Sequence, residues 1–145
     1  MTRHRWVLTG IAVAALALGA CNSSGGGASA PKVEAITIEE DEASGLKTLT
    51  LSDKAAERLG LETAQVAGTG SQMTIPYAAV VYDASGKTWT YVNESGLTYK
   101  RAEITVSEID GDTARITAGP PAGTAVVTTG AAELYGAEIG VGGGH

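Results

Sequence analysis

The chain has 145 residues, with 10 basic against 16 acidic side chains and a formal net charge of −6. That length allows one domain at most once its non-structural ends are set aside. The acidic balance opposes binding to nucleic acid or anionic headgroups, and a single cysteine leaves no internal disulfide to build a scaffold on.

Arg3 and Arg5 precede an uncharged, mostly apolar run from Trp6 to Leu18. At ~1.5 Å per residue this run falls well short of a ~30 Å hydrocarbon core, so it is expected to act as a secretory signal rather than a permanent span. Leu18-Gly19-Ala20-Cys21 follows. This quartet resembles the lipobox of bacterial lipoproteins, in which the thiol is alkylated with diacylglycerol and becomes the new N-terminus. The resemblance implies a signal peptide over residues 1–20 and lipidation at Cys21. It also implies a mature chain of 8 basic and 16 acidic residues, with a formal charge of −8. Two acyl chains hold a protein firmly where one binds reversibly, so a Cys21 diacyl anchor would keep the chain on the extracytoplasmic face of a cell membrane. With Cys21 so modified, no thiolate is left to act as nucleophile or metal ligand.

Residues 21–32 read as the lipidated cysteine and a flexible tether, since Asn22 to Ala30 is NSSGGGASA and Pro31 ends it. A domain is expected over residues 33–140, with a Gly-rich tail over 141–145. Glu39-Glu40-Asp41-Glu42 is expected to be a solvated loop, because adjacent carboxylates on a flexible segment are not preorganised for a cation. Lys47 to Leu51 alternates weakly, as a strand does. Ser52 and Asp53 offer an N-cap, Lys54 to Leu59 a two-turn helix, and Gly60 a stop. Leu61 to Val66 resumes as a strand, and Ala67 to Ser71 reads as a small-residue connector.

From Met73 onward the pattern is β. Val80 to Tyr82, Thr88 to Val92, Thr98 to Val106, Thr113 to Ala118 and Thr124 to Thr129 are rich in Val, Ile, Thr and Tyr, with turn formers between them. This spacing predicts a mainly β fold, a small antiparallel barrel or sandwich with one short helix. Phe is absent, so its core is expected to rest on Val, Ile, Leu and Ala.

Ser85-Gly86-Lys87-Thr88 spells the end of a phosphate-binding loop. The pattern G-x-x-x-x-G-K-[ST] requires a first glycine at position 81, which is Val81, and a helix after the threonine. Thr88 to Val92 is β-branched and aromatic instead, so Asp83 to Gly86 is expected to be a hairpin turn. The histidines are His4, in the signal, and His145, the last residue given. Neither can supply a Ser/His/Asp arrangement in the folded body, and no catalytic residue or cofactor is expected.

Ile75-Pro76-Tyr77-Ala78-Ala79-Val80, then Gly86 to Val92, Tyr99 to Val106, Gly119 to Gly123, Val126-Val127 and Gly130 follow one another in order. This half resembles the last domain of periplasmic adaptor subunits (membrane fusion proteins) of bacterial efflux systems. Leu49 to Val66 is similar to the strand-helix-strand with which heavy-metal-type adaptors enter the same domain. In that family both chain ends meet in a membrane-proximal domain, while the middle travels outward through barrel, lipoyl and helical-hairpin domains. Here only Ala67 to Gln72 separates the two pieces.

The resemblance implies an accessory subunit that docks on an inner-membrane efflux transporter, of the RND or ABC type, without bridging to an outer-membrane channel. Trp89, Tyr91, Tyr99 and Arg101 are the candidate contacts, since aromatics and Arg often anchor interfaces. Trp89 and Tyr91 share one strand face, and this favours the other role open to them, in the core. The alternative function is a membrane-anchored binding module for a small ligand or metal ion, for which the acidic run, Met73 and His145 are the only materials.

Overall fold

The computed structural model describes residues 35–140. The expected signal peptide, Cys21, the expected tether and the expected tail with His145 lie outside them. The chain starts as a hairpin of β1 (Ile36–Glu40) and β2 (Lys47–Leu51). Glu39 and Glu40, expected in a loop, are the exposed end of β1, and only Asp41 begins the turn. Its Oδ1 accepts from the Ala43 N–H at 3.0 Å, and its Oδ2 lies 3.3 Å from Lys100 Nζ. These contacts, the Ala43 N–H foremost, hold the Asp41 carboxyl below its usual range.

Helix α1 (Asp53–Leu59) forms where its caps predict. Ser52 Oγ accepts from the Ala55 N–H at 3.3 Å, and Gly60 ends the helix at φ 56, a left-handed conformation open to a residue without Cβ. β3 (Glu62–Gln65) then leaves for the far side of the sheet, where it pairs with β10 (Ala125–Thr129). The expected connector is itself structured: β4 (Ala67–Thr69) and β5 (Gln72–Pro76) form a hairpin around Gly70 and Ser71.

Tyr77–Ala79 makes a 3₁₀ turn, followed by β6 (Val81–Tyr82), β7 (Thr88–Ser95), β8 (Thr98–Asp110) and β9 (Thr113–Ala118). A second helix, α2 (Ala131–Glu138), follows β10 and was not expected. Its sequence hides it. Gly130 caps it without a side-chain hydrogen bond, and Gly136 lies inside it, which weakens a helix by about 1 kcal/mol relative to Ala.

Every pairing among the described strands is antiparallel, in the order β3-β10-β7-β8-β9-β5-β4, with β2 joined to β8 and β6 to β7. The result is the mainly β, nearly closed barrel-like sheet that the turn spacing predicts. Its pivot is β8. The first part of this strand lies between β2 and β7, and the last part pairs with β9. The register shifts at Thr105–Val106 and Val106–Glu108, and such bulges bend a strand enough to serve two groups of partners.

The sheet buries both faces. On one side Leu49, Tyr91, Tyr99 and Val127 pack with Ala55 of α1 and Leu134 of α2. On the other, Ile75, Ala79, Ile104, Ile116 and Val126 form a second core with Met73. The aliphatic residues expected from the composition line both sides, and on the first they are joined by the aromatics Trp89, Tyr91 and Tyr99.

Candidate functional site

The Ser-Gly-Lys-Thr stretch closes the β6–β7 hairpin. Asp83 organises it: its Oδ1 accepts from the Ser85 N–H at 2.8 Å and the Lys87 N–H at 3.0 Å, and its Oδ2 accepts from Trp89 Nε1 at 2.9 Å. The Ser85 hydroxyl, then the Trp89 indole, hold the Asp83 carboxyl well below the usual carboxylate range. Lys87 lies 3.6 Å from Glu103, both exposed. Thr88 continues as strand, so the helix that a phosphate loop needs after its threonine is replaced by β7.

Trp89 and Tyr91 project from β7 into the aromatic core, and Tyr99 and Arg101 join them from β8, with Tyr91 directly opposite Arg101. Tyr91 is fully buried, and Trp89 and Tyr99 are nearly so. All three serve as core, the other role open to such residues. The four candidate contacts are thus brought together, but they face α2 rather than solvent.

The Arg101 guanidinium stacks 4.3 Å from the Trp89 ring centroid and 5.9 Å from that of Tyr135. Its Nε lies 2.9 Å from Glu138 Oε1, off-axis for an N–H···O hydrogen bond but close enough for an ion pair. Tyr91 donates its hydroxyl to Glu138 Oε2, and Lys47 Nζ donates to the Glu138 carbonyl at 2.9 Å. Burial first, then the neighbouring Glu138 carboxyl, push the Tyr91 phenol far above its ordinary value. This constellation holds no activated nucleophile. It clamps α2 to β7 and β8 through the Glu138 carboxylate, with only 2% of its surface exposed, and to β2 through the Glu138 carbonyl. Sequence reasoning missed Glu138 because the helix that carries it has no cap signal.

Met73, a material of the binding-module alternative, is buried in the second core. Among the described residues no group of three His, Cys, Asp or Glu could hold a metal ion, and no helix is long and apolar enough to cross a membrane. The surface instead offers exposed apolar residues that the sequence did not single out: Tyr77 in the 3₁₀ segment, Tyr82 on β6, Ile109 near the end of β8, and Ile38 and Ile139. On the outer face of β5, β9 and β8, a shallow open depression is lined by Thr74, Glu108, Asp110, Thr113 and Arg115.

Residues 72–133 match the family model described as "RND MFPs, C-terminal permuted SH3 domain". The match supports the membrane fusion protein family. It begins at β5, takes in both faces of the sheet, and ends inside α2. No curated protein and no solved structure matches the chain. The membrane fusion protein match covers every piece from Ile75 to Gly130 on which the resemblance of the C-terminal half rests. It leaves out the strand-helix-strand from Leu49 to Val66, which the structure nonetheless joins to the same sheet through β2 and β3.

Proposed function

We propose that this chain is a lipid-anchored, adaptor-like accessory subunit that docks on an inner-membrane efflux transporter of the RND or ABC type. The match of residues 72–133 to the C-terminal domain of RND membrane fusion proteins carries this reading. The Cys21 lipid would hold the domain at the extracytoplasmic face of the membrane, and residues 22–32 would give it reach. Docking would be by protein–protein contact, with no chemical step.

The β4–β5 hairpin supports a reduced role. In the family that this sequence resembles, the chain leaves the membrane-proximal domain between the strands that here are β3 and β5, and returns after its outward domains. Here the same interval is closed by a hairpin with Thr69 opposite Gln72. A domain so closed can dock on a transporter, but in that interval it has no arm to reach an outer-membrane channel.

The test is co-purification of the native lipoprotein, solubilised in mild detergent, with the membrane proteins bound to it. A transporter subunit is expected in the eluate, and its absence would remove the docking function. The Cys21→Ser variant, fed a labelled fatty acid, is expected to lose both the label and the membrane fraction.

A further inference from the structure

The two helices pack on the aromatic core, and neither contributes a residue to the second core. On the outer face of the second-core sheet, Thr74, Arg115 and Glu108 stand side by side across β5, β9 and β8. Arg115 is engaged by Glu108 in an ion pair. One step along, Asp110 and Asp112 bracket the β8–β9 turn with exposed carboxylates. The ion pairs of the described residues are Lys87–Glu103, Lys100–Asp41, Arg101–Glu138 and Arg115–Glu108, and they include neither aspartate.

Tyr77 is tied to this turn, because its N–H donates to the Asp112 carbonyl at 2.8 Å. Tyr77 and Tyr82 leave 41% and 48% of their surfaces exposed. Their phenols adjoin, and the Tyr82 phenol is raised above its ordinary value by desolvation first and then by the Tyr77 hydroxyl. Pro76 and the 3₁₀ turn fix the backbone of Tyr77, so ordering this ring against a partner sacrifices little conformational freedom.

An exposed aromatic segment tied through the Tyr77 N–H to a turn that carries two unpaired carboxylates suits one chemistry. A guanidinium or ammonium group is attracted both by the ring faces and by the carboxylates. Anionic headgroups and phosphates are repelled, and a chain of net charge −6 adds to that repulsion. We propose that Tyr77, Tyr82, Asp110 and Asp112 form a docking surface for an arginine- or lysine-bearing segment of a partner protein. This inference rests on the docking function above and names the face that docking uses.

The test titrates the isotope-labelled, full-length lipoprotein in neutral detergent with a short arginine peptide and, separately, with its glutamate counterpart. Amide shifts are expected at Tyr77, Tyr82 and residues 110–113 with the arginine peptide alone, weakening as salt rises. Affinity should fall about tenfold or more in Y77A/Y82A and in D110N/D112N, with the rest of the spectrum unchanged. Shifts spread equally over Glu39, Glu40 and Glu94, or variants that bind like the parent, would overturn the proposal. So would self-association of the parent that Y77A/Y82A abolishes, because the occupant would then be a second copy. Co-purification separates this inference from the one beneath it. A transporter recovered equally well with Y77A/Y82A removes this surface and leaves the docking function. Peptide binding at these four residues without any transporter recovered removes that function and leaves the surface.

Discussion

Arg101 stands opposite Tyr91 on β8, and this register alone delivers its guanidinium to both Trp89 and Glu138. Its side chain is only 17% exposed, so its charge depends on the carboxylate that α2 brings. Arg101→Ala is expected to cost about 3 kcal/mol in urea unfolding, because Glu138 is then buried without a cation. The double change Arg101→Met with Glu138→Met should recover most of that loss, since a buried ion pair seldom outperforms apolar residues of similar volume. Tyr91 adds a pH dependence with a definite sign. Its phenol is raised far above the usual 10.0, so the folded state keeps a proton that the unfolded chain releases. This contribution to stability is fully present below pH 10.0 and declines as pH rises beyond it. Ultraviolet titration should therefore show a tyrosinate that appears only as the protein unfolds, and Tyr91→Phe should remove that coupling. The alternation that turns Trp89 and Tyr91 inward is legible in the sequence. Their partner Glu138 is not, because nothing in the residues around it announces a helix.

The two helices differ in how much of their stability is local. Helix α1 has a serine cap, an acidic first turn at Asp53, a basic last turn at Arg58 and a glycine stop, all visible as residue types. Ser52→Ala should destabilise the fold by about 1 kcal/mol in thermal or urea unfolding. Helix α2 lacks a side-chain cap and persists because Ala131, Leu134 and Glu138 are buried against the sheet. The β4–β5 hairpin is the same case among strands. Its small residues read as a linker, yet Gly68 sits so close to β5 that a Cβ there would lie 2.0 Å from the Gln72 carbonyl oxygen. That close approach is why the position carries no side chain, and only the paired partner strand reveals it.

At the scale of the molecule, the chain closes a nearly complete barrel with β3 and β10 joined far apart in sequence. A flexible Gly/Ser insertion of ~20 residues between Gly70 and Ser71 should cost little stability, because loop closure grows only slowly with length and this tip is exposed. Unfolding free energies within about 1 kcal/mol of the parent are expected in urea titration. A collapse of the fold on insertion would mean that the hairpin is integral to the barrel rather than a closure over a permissive junction. The acidic surface belongs to this scale too. It sets what the domain can approach, and it turns the exposed Tyr77 and Tyr82 toward basic partners rather than headgroups.

The sequence by itself determined the strand spacing, the first helix and its caps, the hairpin that spells a false phosphate loop, and the likeness to efflux adaptors. Each of these is a local matter of turn formers, alternation or capping, where the cause lies within a few residues of the effect. Tertiary structure alone decided the second helix, the Arg101–Glu138 clamp, and the meeting of Tyr77 with the Asp110–Asp112 turn. Those depend on contacts between residues many positions apart, and the free energy that selects them comes from packing and charge pairing that no local pattern records.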